Sequence, residues 1–192
     1  MLLYLNFTKR MNIETLNQFE SHLMQSLLQV CSSACLLQGT LLATDDLTDL
    51  WNDVYAPEYM VDAVPQVAAY PNVSVAWAAY LGMAAAQGWD ADWERCRRTP
   101  YSAYHGARGF DDMDDHIVRD LLGLPLEGEE ARRLTDTLRS CAELVVTMIR
   151  NEQIEPQSPE AFHVFARSCR AMYRIGVAIE LRRLGYHMER LN

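Results

Sequence analysis

Lysine is almost missing from this chain. Of its seventeen basic side chains sixteen are arginine, and after Lys9 no lysine follows to the C-terminus. Any site built beyond residue 9 therefore has no P-loop lysine, no Schiff-base lysine and no lysine general base. Positive charge is also scarce as a whole. The formal net charge of −9 argues against a general nucleic-acid binder, which must neutralise phosphates, and against an anionic membrane surface. The sequence contains no GxGxxG, GxSxG, HExxH or CxxC motif. It has no sustained polar/apolar alternation and no Asn-Gly or Asp-Gly hairpin signal, which leaves little room for a sheet.

The five cysteines, Cys31, Cys35, Cys96, Cys141 and Cys169, are an odd number, and most fall on apolar helical faces. They read as reduced, core-packing thiols of a cytoplasmic protein. Cys31 and Cys35 stand one helical turn apart but have no histidine near them, a poor start for a metal site. The first ten residues, MLLYLNFTKR, hold the one lysine and differ in character from the Ala-, Arg- and Asp-rich remainder. Their charges follow a short apolar run instead of preceding a long one, so they are expected to be an extension before a start at Met11, not a signal peptide.

What is present is helical periodicity. Leu16, Phe19, Leu23, Leu27, Val30, Ala34 and Leu37 keep a 3–4 spacing and predict a helix over 12–37. Thr44, followed by Asp45 and Asp46, predicts an N-cap for a short helix ending before Pro57, with another short piece over 58–69. Residues 63–89 carry no formal charge. Pro65, Pro71 and Asn72 interrupt that stretch and leave too short a span for a membrane, so a central buried helix from Pro71 to Gly88 is expected. Its small residues Ser74, Ala78, Gly82 and Ala86 recur every four positions and invite close approach of another helix. A polar extension follows, carrying Trp89 and Trp93. Further helices are predicted over 101–122, 129–153 and 159–184, the last capped by Ser158-Pro159. The reading is an all-α, single-domain bundle of about five to seven helices spanning 11–192. Leu16, Leu23, Val30, Trp77, Leu81, Phe110, Ile117, Leu138, Val145, Phe165 and Met172 are expected in one core. Phe162, Phe165, Cys169, Met172, Gly176 and Ile179 are expected as the buried stripe of the last helix.

Candidate chemistry concentrates in 101–124. On a helical wheel Ala103, Ala107, Phe110, Met113, Ile117, Leu121 and Leu124 share one side. Tyr101, Tyr104, His105, Arg108, Asp112, Asp115, His116 and Arg119 share the other, a face able to bind a small ligand or a protein partner. Two DDxxD segments, Asp45–Asp49 and Asp111–Asp115, place carboxylates on one side of a helix, where they can hold a divalent metal. The aspartate-rich helices of isoprenoid synthases hold diphosphates in this way, and the likeness ends with the motif because this chain is much shorter. Asp112, Asp115 and His116, with Asp45 and Asp49, are the candidate ligands for Mg²⁺, Mn²⁺ or Zn²⁺. The same aspartates also suit helix starts as dipole partners. Glu160 and His163 form one i, i+3 pair of the di-iron kind, but such sites need a second pair and two more glutamates.

Asp114 falls at the edge of the apolar side and is expected to pair with an arginine. His163, Arg167, Arg170 and Arg174 line the last helix as an anion site or as partners for acidic faces. Arg132-Arg133 and Arg182-Arg183 are expected as surface charges. Three functions are compatible with this pattern: a binding or interaction domain, a divalent-metal-dependent enzyme acting on a phosphorylated or diphosphate substrate, and a homo-oligomeric structural module.

Overall fold

A computed structural model describes residues 12–187, so the expectation for the first ten residues lies outside it. The architecture is all-α. The helices are α1 (Ile13–Ser33), α2 (Asp45–Leu50), α3 (Ala56–Ala63), α4 (Pro71–Cys96), α5 (Met113–His116), α6 (Glu129–Asn151) and α7 (Pro159–Arg183). Among the described residues no strand forms, and no helix is long and apolar enough to cross a membrane.

The caps work as the sequence predicts. Thr44 Oγ1 accepts from the Leu47 amide at 3.2 Å, and Ser158 Oγ accepts from the Ala161 amide at 3.1 Å. Asn12 does the same for α1, accepting from Thr15 N at 2.9 Å. Pro57 does not end the second helical segment. A π-helical turn, Trp51–Tyr55, joins α2 to α3, with Pro57 in the first turn of α3. Proline has no N–H to give to the carbonyl four residues back, and its ring crowds that carbonyl; the wider π turn relieves both problems.

The most extensive helix pair is α4 with α7; α1 and α6 pack around it. Close approach rests on two glycines. A Cβ on Gly82 would run into the Tyr173 carbonyl, and a Cβ on Gly176 into the Ala79 carbonyl. The small-residue ladder of α4 therefore meets the backbone of α7. As a result α7 is more than an amphipathic helix: from Ala171 to Leu181 every residue except Arg174 is buried. Phe162 departs from the expected stripe. It lies 47% exposed in the first turn, its ring 6.0 Å from that of His163, and burial begins at Val164. The eleven core residues named from periodicity do belong to one cluster, with Val30 and Trp77 half-buried at its margin.

The polar extension of α4 is a separate turn. Asp92 leaves helical geometry (φ −166°, ψ 96°), and its carboxylate accepts from the Arg95 amide at 3.1 Å, recapping the chain. The row on α7 finds acidic partners: Arg167 and Arg170 both pair with the buried Glu20 of α1. Four cysteines are buried and Cys35 is exposed. Cys31 faces Cys141 across the core, with the sulfurs 3.7 Å apart, so Cys31 and Cys35 do not meet.

Candidate functional site

The expected continuous helix over 101–122 is broken. Tyr101–Tyr104 and Phe110–Asp112 are 3₁₀ turns, α5 is a single turn, and Ile117–Leu121 is π-helical. Between the 3₁₀ turns, Gly106 and Gly109 exchange two backbone hydrogen bonds of 3.0 Å and close a tight turn. Gly109 sits at φ +79°, which glycine adopts without strain. A Cβ on Gly106 would collide with the Asp112 carboxylate.

The break inverts the wheel for its first half. Tyr101 and Tyr104, placed on the polar side by the spacing, are 2% and 5% exposed, whereas Ala103 and Ala107 face solvent. The physical reason is that tyrosine buries a large ring if its hydroxyl finds a partner. Tyr104 shares a 2.8 Å hydrogen bond with Tyr55, and Tyr101 donates to Asp62 Oδ2 at 2.9 Å. These rings join Tyr59 and Phe110 in an aromatic cluster. Beyond residue 110 the wheel holds as far as Ile117: Phe110, Met113 and Ile117 are buried, and Asp115 and Arg119 are exposed. The π turn at 117–121 then shifts the register, burying Val118 and leaving Leu121, expected on the apolar side, 38% exposed.

His105 lies half-buried beside Tyr101, its Nε2 3.0 Å from the same Asp62 oxygen. Asp62, on α3, was not singled out from the sequence; only contact across the fold reveals it. Burial pushes the Tyr101 hydroxyl far above its ordinary pKa, with Asp62 adding to the effect, and pushes Tyr104 up to about 12. Both phenols stay protonated, so they are hydrogen-bond donors and not general bases. Among the described residues no serine, threonine or cysteine side chain hydrogen-bonds to His105, so a nucleophile–base pair is not assembled.

The candidate metal ligands are already committed or apart. Both Asp112 oxygens accept from the Arg108 amide, at 3.0 and 3.1 Å, and the Arg108 guanidinium lies 3.5 Å away. His116 Nδ1 is 2.8 Å from Asp120, which Arg119 also grips through two nitrogens at 2.7 and 2.8 Å. Arg119, and then His116, hold the Asp120 carboxyl well below the usual carboxylate range. Asp45 and Asp49 are exposed on α2, where Asp45 belongs to the first turn. Among the described residues no group of three or more His, Cys, Asp or Glu stands ready for a metal ion.

Asp114 is half-buried and has no arginine partner among the described residues, contrary to expectation. Burial raises its carboxyl to about 6, and Asp115 and Asp112 add to the rise against nearby backbone N–H groups. The Gly106–Gly109 turn is held on three sides. Asp62 holds His105 before it, Asp112 holds the Arg108 amide within it, and Trp77 Nε1 donates to the Phe110 carbonyl after it at 2.7 Å. Ala107 and Arg108 project from its tip, with the Arg108 side chain 73% exposed.

No known protein family, curated protein or solved structure matches this chain.

Proposed function

We propose that the chain is a binding module whose recognition element is the Gly106–Gly109 turn, with Arg108 at its tip and His105, His116 and Arg119 around it. The supporting observation is the anchoring just described. A loop fixed by three independent side-chain contacts loses little conformational freedom when a partner docks, so more of the contact energy appears as affinity. Arginine with an exposed guanidinium is a frequent energetic centre of protein interfaces, and its fork matches a carboxylate or carbonyl of a protein partner. The polar groups around it are spent on one another, which suits a recognition surface better than a reacting centre. The five free thiols, four of them buried, support a reducing compartment such as the cytoplasm.

The test is a photo-crosslinking residue placed at Ala107 in the cell, compared with the same residue at the exposed Glu155. The reading predicts a discrete adduct from position 107 that Arg108→Glu in the same chain abolishes, and none from position 155. Identical adducts from both positions, or indifference to Arg108→Glu, contradict it.

A further inference from the structure

A second site lies away from that turn, where the chain just after α1 meets the start of α6 and the end of α7. A cavity of about 130 Å³ opens there, lined by Cys35, Glu130, Arg133, Arg182 and Arg183 together with two leucines. Three guanidiniums face one carboxylate in a protein that is otherwise strongly acidic. Arg183 is already committed: it bonds to Glu130 at 2.8 Å and pairs with the buried Glu180. Arg133 and Arg182 have no acidic partner among the described residues. Arg182 is half-buried, and its buried Nη1 has no hydrogen-bond acceptor among the described residues. Sequence spacing marks Arg182 and Arg133 as surface charges, and for Arg182 the fold corrects this.

A buried guanidinium N–H without an acceptor is costly, and native proteins rarely leave one unanswered. The cavity that Arg133 and Arg182 line is large enough for a tetrahedral oxyanion and too small for a nucleotide or a drug-sized ligand. Glu129 and Glu130 in the first turn of α6 already answer the positive end of its dipole, so the attraction for an anion rests on the arginines. We infer that this cavity binds a phosphate-class oxyanion, held by the fork of Arg182 and closed over by Arg133, either as free phosphate or as the phosphoryl end of a larger molecule that extends outward past Cys35. This inference is independent of the Gly106–Gly109 turn.

The full chain permits a direct test, because Cys35 is the one exposed thiol and lines the cavity. With chloride adjusted to constant ionic strength, about 10 mM inorganic phosphate should raise the melting temperature by roughly 3 °C. It should also slow iodoacetamide alkylation of Cys35 about threefold or more, by occupying the space beside the thiol. Arg182→Met should abolish both effects. Arg133→Met, a change at an exposed side chain, should weaken both and keeps the test valid if the first variant does not fold. General salt stabilisation acts equally on the wild type and the variants. A phosphate response that persists unchanged in Arg133→Met and Arg182→Met therefore overturns the proposal, as does the absence of any response in the wild type. Phenyl phosphate separates the two sources: protection as strong as that by phosphate supports a phosphoryl end on a larger molecule, and protection by phosphate alone supports the free anion.

Discussion

The α4–α7 pair and the 101–121 segment both carry apolar residues at helical spacing, yet one forms two long helices and the other breaks into short turns. In α4 and α7 every level agrees. Pro71 and Pro159 start the helices, few residues in the middle favour another conformation, and the small residues of each meet the backbone of the other. In 101–121 the levels disagree. Gly106 and Gly109 weaken the helix where the apolar side carries only Ala103 and Ala107, while two tyrosines offer far more area to bury. The chain gives up continuous helix, buries the tyrosines, and leaves an anchored turn at the surface. Periodicity is informative when the residues it marks as apolar are also the ones with the most to gain from burial.

That contrast can be challenged from both sides. The largest effect is expected at the α4–α7 contact. Gly176→Ala drives a methyl group into the Ala79 carbonyl, and backbone cannot rotate away, so the loss should be about 3 kcal/mol or more, read by urea unfolding. Leu138→Ala, at a fully buried position on α6, should cost roughly 2–5 kcal/mol. A loss below 1 kcal/mol in both would mean that this packing is much looser than described.

In the broken segment, Tyr104→Phe should cost about 1–3 kcal/mol, because it leaves the buried Tyr55 hydroxyl without its partner. A continuous helix with Tyr104 in solvent predicts no change, so this variant decides between the two conformations.

Asp114 gives a smaller effect with a definite sign. Its folded-state pKa of about 6 lies above the ordinary 3.8, so folding favours the protonated acid. This contribution to stability is fully present below pH 3.8 and is lost as the pH rises through 6. Asp114→Asn, which cannot ionise, should therefore be more stable than the wild type at pH 8 by roughly 1 kcal/mol, and the advantage should vanish near pH 4. An equal effect at both pH values would remove the carboxyl's titration as its cause.

The smallest effect concerns divalent metal. Asp112→Asn with Asp115→Asn should lower the melting temperature by the same few degrees with or without Mg²⁺, Mn²⁺ or Zn²⁺, through loss of the charge that holds the Arg108 amide. A metal-induced rise in the wild type that the double variant abolishes would instead support the aspartates as ligands.

Much of the fold was legible in the sequence. The Thr44 and Ser158 caps, the α4 ladder and the Leu16–Leu27 part of the α1 stripe are local patterns found where their spacing places them, although α1 ends at Ser33 and not at 37, leaving Ala34 and Leu37 beyond the helix. The candidate site was legible only in part. Arg108 and Arg119 are exposed and His105 is half-buried, but Tyr101 and Tyr104 belong to the core, and Asp62, which holds His105, lies 43 residues away in sequence. The half-burial of Arg182, with its Nη1 out of reach of solvent, was equally hidden, since doubled arginines at a helix end look the same whether they face water or a cavity. Contacts between distant segments leave no periodic trace.

The central claim is that the turn at 106–109 is rigid before anything binds to it. Amide hydrogen exchange measures this directly on the free protein. The Arg108 amide points at the Asp112 carboxylate, and Gly106 and Gly109 bond to each other. All three should therefore exchange far more slowly than exposed loop amides such as those of Glu155 and Gln157, and Asp112→Ala should release Arg108 first. Exchange of these three amides at the rate of an unstructured loop in the wild type would contradict a preformed recognition element.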